Sequence, residues 1–361
     1  MIHRLRILLV IARPAVVVLL GLFTATGLAE AGKGNQPEML AKALVAVVAF
    51  LLFSVVVNDL ADEAIDRVNL PGDPRRPLAA GICGRRELVA VGVTAGVIAL
   101  AASALLHGPA VLVVLGGLAL SAGYSLRPIR VADRGAMASL LLPACYVAVP
   151  YLLGVFAARG NVTPADLTLL GGLYTGFIGR IVLKDFRDVR GDSLFGKRTF
   201  LIRHGRRRTC GFSAVCWIGG SVTLAAVRGF NGTLAAVLGF YLVVALGLLA
   251  ALSEERGARR DESLISALAI VGRGTIVTLF AHLSITDARW SGTAYRGCML
   301  VLMSVVIGQA STMARRGPTS RLTVPVKWAA AEAPSSMTCC QEPATSLKCV
   351  PVGSAASAKR P

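Results

Sequence analysis

Charge is scarce in this chain. Only 16% of its 361 residues are charged, and they gather in a few loops. Histidine occurs at His3, His107, His204 and His282. That scatter suggests neither a His-rich metal set nor a Ser-His-Asp constellation. No C-x-x-C pair occurs among Cys83, Cys145, Cys210, Cys216, Cys298, Cys339, Cys340 and Cys349. Most of these lie in or beside apolar runs and read as small packing residues, not zinc ligands or disulfides. The formal charge of +18 raises the question of nucleic acid. Aromatic interleaving, a binding module and a soluble domain are all missing, so no nucleic-acid partner is expected.

What the chain does have is apolar length. Hydrophobic residues make up 55% of it, and the mean hydropathy is +0.66. Such a composition predicts an all-α polytopic membrane bundle. Runs long enough to span a bilayer lie near 13–30, 39–60, 87–106, 109–124, 136–157, 166–184, 210–227, 232–252 and 264–283. A tenth, near 297–311, is shorter. The start, MIHRLR, an apolar stretch and LAEAG, imitates a secretory signal. The long apolar stretch and the spans that follow favour a retained helix. From about residue 317 the chain is rich in Pro, Ser, Thr and Ala, a composition that predicts disorder.

Positive charges orient the chain. Arg4 and Arg6 precede the first run, Arg67, Arg75, Arg76, Arg85 and Arg86 follow the second, and Arg127, Arg130 and Arg134 follow the fourth. Further groups follow the sixth and eighth runs, while the alternate loops hold little beyond Lys33, Arg159 and Arg228. By the positive-inside rule the N-terminus and the basic loops are cytoplasmic. Attraction to anionic lipid headgroups accounts for the remaining charge.

Two acidic clusters stand out against this background. VVNDLADEAIDRVN holds Asp59, Asp62 and Asp66, and LKDFRDVRGDSLFGK holds Asp185, Asp188 and Asp192. Both follow i, i+3, i+7, which on one helix puts three carboxylates on one face. The bland alternative for either one alone is a solvated, charged helix end. Two identical spacings at the cytoplasmic ends of two spans point to one shared site. Asp oxygens suit Mg²⁺, which commonly bridges carboxylates to substrate phosphates. Two triads face to face would clamp a diphosphate between metal ions, and the metal charge would keep six carboxylates ionised. Asn58 adds a neutral ligand. Arg67, Lys184 and Arg187 supply cations for a departing diphosphate. The acids lie at helix mouths and not at mid-span, which favours a phosphate site over a proton relay.

NDLADEAID resembles the N-D-x-x-D-x-x-x-D motif of the UbiA superfamily of intramembrane prenyltransferases. KDFRDVRGDSLFGKRTF is similar to that superfamily's second aspartate motif, K-D-x-x-D-x-x-G-D. YSLRPIR, from Tyr124 to Arg130, falls where the family places a tyrosine loop, and Arg13-Pro14 also fits the pattern. The resemblance covers roughly residues 10–285. It implies a bundle of nine transmembrane helices around a central cavity, in a bacterial-type cytoplasmic membrane. The active-site loops would be cytoplasmic and the cavity open to lipid. It further implies that Asn58, Asp59, Asp62, Asp66, Asp185, Asp188 and Asp192 hold Mg²⁺, with Asp62, Asp66, Asp188, Asp192 and Tyr124 catalytic. Asn58, Arg67, Arg130, Lys184 and Arg187 would bind diphosphate. Many members carry Lys where Pro128 stands, so the cation shifts to Arg127 or Arg130. The YS-x-x-P-x-R form is similar to branches acting on homogentisate or chlorophyllide.

The organisation expected is a short segment 1–12, a prenyltransferase domain 13–285, an additional helix within 286–316 and a tail 317–361. The activity implied is Mg²⁺-dependent transfer of a prenyl group from an isoprenoid diphosphate to a hydrophobic, aromatic acceptor in the membrane. A terpene cyclase on the same scaffold, a transporter and a silent scaffold are the rivals. Each is separable by whether diphosphate is released and whether an acceptor is needed.

Overall fold

Proline marks where several helices begin. Pro14, Pro37, Pro109 and Pro164 each open a helix, at the position where a missing N–H leaves no bond unmade. Other starts are capped by side chains. The Thr163 hydroxyl accepts the Asp166 N–H in a reciprocal capping box, and Asn231 and Ser291 cap Leu234 and Ala294.

The protein is described by a computed structural model covering residues 10–69, 72–187, 199–255 and 257–317. Among these residues the regular structure is entirely helical. The elements are α1 (Pro14–Glu30), α2 (Pro37–Ala61), α3 (Glu63–Asn69), α4 (Arg85–Ser103), α5 (Pro109–Ser125), α6 (Ala136–Pro143), α7 (Val149–Ala158) and α8 (Pro164–Ile181). They continue as α9 (Phe200–Leu224), α10 (Gly232–Ser253), α11 (Ala258–Asp287) and α12 (Gly292–Arg316). A π turn, Ala144–Ala148, joins α6 to α7 between Pro143 and Pro150. The wider turn absorbs two prolines that an α-helix would not take without a break.

Seven segments are long and apolar enough to cross a membrane: Pro37–Ala61, Arg85–Ser103, Met137–Ala158, Pro164–Arg187, Gly232–Ser253, Ala258–Asp287 and Gly292–Arg316. Two more, α1 and α5, are apolar but shorter. Exposed Val93, Val97, Leu112, Val222, Val243 and Val301 give the bundle an apolar exterior. This is an integral membrane protein.

Two expectations change. The run near 297–311 is the middle of a full helix, α12, packed along α11. The seventh helix, expected near 210, begins ten residues earlier at Phe200. Its first part is basic, which hid it from a hydropathy reading. Gly205, at φ 77°, kinks it, and the next residue, Arg206, forks onto Asp261 at 2.9 and 2.6 Å. Residues 1–9 of the expected segment 1–12, and all but the first residue of the expected tail 317–361, lie outside the described residues.

Packing divides the bundle into two apolar halves that share α1 and α7. Leu19 and Phe23 join the half formed with α7 to α12, and Leu20 joins the half formed with α2, α4 and α5. Small residues bring backbones close at two crossings. Gly27 and Gly154 fit α1 to α7, and Gly172, Gly179 and Gly220 fit α8 to α9. Cys145, Cys210 and Cys216 are buried and free, in keeping with packing roles.

Candidate active site

The first aspartate motif sits where α2 ends. Ala61 is the last residue of α2, and Asp62 follows at φ −99°, ψ 9° before α3 starts. The triad is therefore not carried by one uninterrupted helix. Its carboxylates are divided between separate guanidinium groups. Asp59 is buried and takes Arg13 at 2.9 Å together with Arg76. Arg76 also lies 3.3 Å from Asp66. Asp62 instead receives Arg130 at 2.7 Å and the Asn58 amide at 2.9 Å.

Arg130 is the cation that the tyrosine loop delivers. Its backbone is left-handed, φ 33° and ψ 66°, a conformation unusual for a residue with a Cβ. In that pose Nη1 reaches the Ala61 carbonyl at 3.1 Å and Nε pairs with Asp133 at 2.7 Å. Of the two candidates for the shifted cation, Arg130 meets the motif and Arg127 is exposed.

The second motif begins at the end of α8. Asp185 is buried and Lys184 exposed. Asp188 and Asp192 lie outside the described residues. Tyr124, at the end of α5, links the motifs: Lys184, Asp62 and Asp185 all lie within its electrostatic reach. The ends of α2, α5 and α8 thus converge on one polar mouth.

Not every expected cation joins it. Arg67 pairs with Glu63 at 2.7 Å on an exposed face of α3, because the i,i+4 partner is nearer than the mouth. Arg187 pairs with Glu262 of α11 at 2.6 Å. The sequence reading missed Arg76 and Arg13 as partners of the motif. Arg76 had been counted only as a topology charge, and Arg13 only as part of an Arg-Pro pair.

The electrostatics suit a cation. Burial pushes the Asp66 carboxyl up to about 6, with Arg76 pulling the other way. Asp59 Oδ2 is buried with no hydrogen-bond partner among the described residues, and Asp66 Oδ2 makes no hydrogen bond there beyond its 3.3 Å approach to Arg76 Nε. Oxygens left in that state are the hard donors that Mg²⁺ takes. No three His, Cys, Asp or Glu side chains form a ready cluster among the described residues.

Known proteins share this plan. The chain is 28% identical to the bacteriochlorophyll synthase 34 kDa chain of Chloroflexus aurantiacus over 153 residues, 42% of this chain and 48% of that one. It thus spans about half the length of that relative. It is 27% identical to digeranylgeranylglyceryl phosphate synthase of Natronomonas pharaonis over 252 residues, 70% of this chain and 86% of that one. Among solved structures, a UbiA homologue from Archaeoglobus fulgidus bound to DMAPP and Mg²⁺ superposes with a TM-score of 0.52 at 16% identity, covering 85% of this chain and 98% of that one. A digeranylgeranylglyceryl phosphate synthase structure reaches 0.62 at 17% identity, covering 78% and 99%. These likenesses establish the fold. The UbiA prenyltransferase family model matches residues 18–271, and the chain belongs to that family.

Proposed function

We propose that this protein transfers a prenyl group from an isoprenoid diphosphate to an acceptor, an aromatic one, within the membrane, releasing diphosphate. The observation that carries this reading is the convergence of Asp62, with its partner Arg130, and of Lys184 and Asp185 on Tyr124 at one end of a mainly apolar bundle. A diphosphate needs cations and metal-holding carboxylates. Its hydrocarbon tail needs apolar walls. The mouth and the interior supply one each. The Archaeoglobus homologue, bound to DMAPP and Mg²⁺, supports the donor class and the metal.

Asn58, Asp62, Asp66 and Asp185 would hold Mg²⁺, with Asp59, Asp188 and Asp192 completing the set. The metal would supply Lewis-acid charge against the diphosphate oxygens. Arg130 and Lys184 stand at the mouth to neutralise charge as the allylic C–O bond opens. Arg76 and Arg13 hold Asp59 and so position the start of the motif. The apolar helices below keep water from quenching the allylic cation before the acceptor attacks it. The basic loops support a mouth on the cytoplasmic face, with residues 13–285 as the catalytic domain and α12 added beyond it.

Membranes containing the protein, given Mg²⁺ and geranyl, farnesyl or geranylgeranyl diphosphate, test this reading through diphosphate release. Release that requires both metal and a pooled aromatic acceptor is expected. Release without acceptor would identify a cyclase or a hydrolase. Intact substrate on both sides of a vesicle would identify a transporter.

A further inference from the structure

A second polar feature lies deeper in the bundle, on the face of α8 that leads to the second motif. Arg180 lines a partly open cavity of about 50 Å³ together with Phe23, Phe177, Trp217, Leu224 and Ile276. That volume holds roughly three to five waters, enough for a carboxylate or phosphate group and too small for an aromatic ring. Gly272 leaves the room: a Cβ there would stand 3.5 Å from Trp217 and 3.6 Å from Arg180.

The cavity wall is mostly apolar, with the hydroxyls of Ser221 and Thr275 and two unpartnered donors as its polar groups. Arg180 Nη1 and Trp217 Nε1 are both buried without a hydrogen-bond partner among the described residues. Among the described residues, the charged groups within electrostatic reach of Arg180 are Arg273 and Arg187, both cationic. Its guanidinium lies over the Phe177 ring, 5.6 Å from the centroid. A half-buried arginine with like-charged neighbours and no acid among the described residues is costly. A leucine would fill the same position without that cost.

We propose that this cavity seats an anionic group, a carboxylate or a phosphate monoester, carried by the acceptor substrate. Arg180 is the counter-ion and Trp217 Nε1 the second donor. The assignment rests on the prenyl-transfer reading, which places the donor diphosphate at the aspartate mouth. Arg180 precedes Asp185 by five residues, a rise of about 7 Å along a helix. An acceptor whose nucleophile reaches the allylic carbon at the mouth would extend its far side to about that depth. The anion thereby orients the acceptor and rejects neutral analogues, since a half-buried cation left unpaired penalises them.

The test uses the purified full chain in detergent with EDTA, so that no metal or turnover is involved. Binding of dodecyl phosphate and of dodecanol is followed by tryptophan fluorescence. The phosphate ester should bind at least about tenfold tighter than the alcohol. That preference should persist in Asp62→Asn/Asp185→Asn protein, survive in part in Arg180→Lys and vanish in Arg180→Gln. If Arg180→Gln does not fold, Gly176→Leu serves instead. A Cβ at Gly176 meets open space in the cavity wall, so the leucine would fill the seat and abolish the preference. Equal binding of ester and alcohol overturns the proposal. So does a preference lost in the aspartate variant and kept in the Arg180 and Gly176 variants, which would place the anion at the mouth. Arg180-dependent binding in a protein that releases no diphosphate would defeat the transfer reading while leaving the anion seat intact.

Discussion

Replacing Asp62 by Asn is expected to lower metal-dependent diphosphate release about a thousandfold while leaving the bundle folded. The two halves of that expectation have separate causes. Asp62 lies at the mouth between α2 and α3, where a carboxylate would meet metal and substrate. Its partner Arg130 does not depend on it for anchorage, because Arg130 also pairs with Asp133 at 2.7 Å and reaches the Ala61 carbonyl at 3.1 Å. Asn keeps the shape and removes only the charge. Asp59→Asn should behave in the opposite way. Asp59 is buried beneath Arg13 and Arg76, and removing its charge leaves two guanidinium groups without their shared partner. That loss should destabilise by about 1–3 kcal/mol, with a smaller loss of activity. Diphosphate release and thermal unfolding, measured on both variants beside wild type, separate the roles. A fully active Asp62→Asn protein would defeat the assignment of that carboxylate to the chemistry.

The second large effect is structural. Gly154→Ala should cost about 3 kcal/mol or prevent accumulation of folded protein. At the crossing of α1 and α7 a Cβ on Gly154 would stand 2.0 Å from the Thr24 carbonyl oxygen. The reciprocal Cβ on Gly27 would stand 2.1 Å from the Tyr151 carbonyl oxygen. Neither obstacle is a side chain that can rotate away, so the helices must part. Because α1 belongs to both apolar halves, parting them disturbs the whole core. Gly171→Ala is the control: it lies in α8, and its Cβ would meet nothing within 4 Å. It should stay within about 1 kcal/mol of wild type. Unfolding in mixed micelles measures both. Equal stability of the two variants would show that the crossing tolerates a methyl group.

The contrast between Arg130 and Arg67 shows how much of the site was legible. Both were named from the sequence as diphosphate cations. Arg130 reaches Asp62 across 68 residues, while Arg67 is taken by its own helix neighbour Glu63. An i,i+4 pair is readable from sequence, and here it decides against the site. Arg76 went unnamed because its meeting with Asp59 depends on how the loop before α4 folds back, and no periodicity encodes that. Arg180 was unremarkable for a similar reason. As one letter in an apolar run it could have faced a carboxylate, a headgroup or a cavity.

The sequence alone determined the helical class, the order of the two aspartate motifs and their place at helix ends. Hydrophobic length and the spacing of acids are local quantities, set by helix geometry and by the cost of charge in lipid. The break at Asp62, the shared use of Arg76 by Asp59 and Asp66, and the cavity before Arg180 were decided only by the tertiary structure. Each depends on which backbones can approach and which loop lies over which helix end. In a low-dielectric interior the nearest available counter-charge, not the nearest in sequence, fixes where a buried ion points.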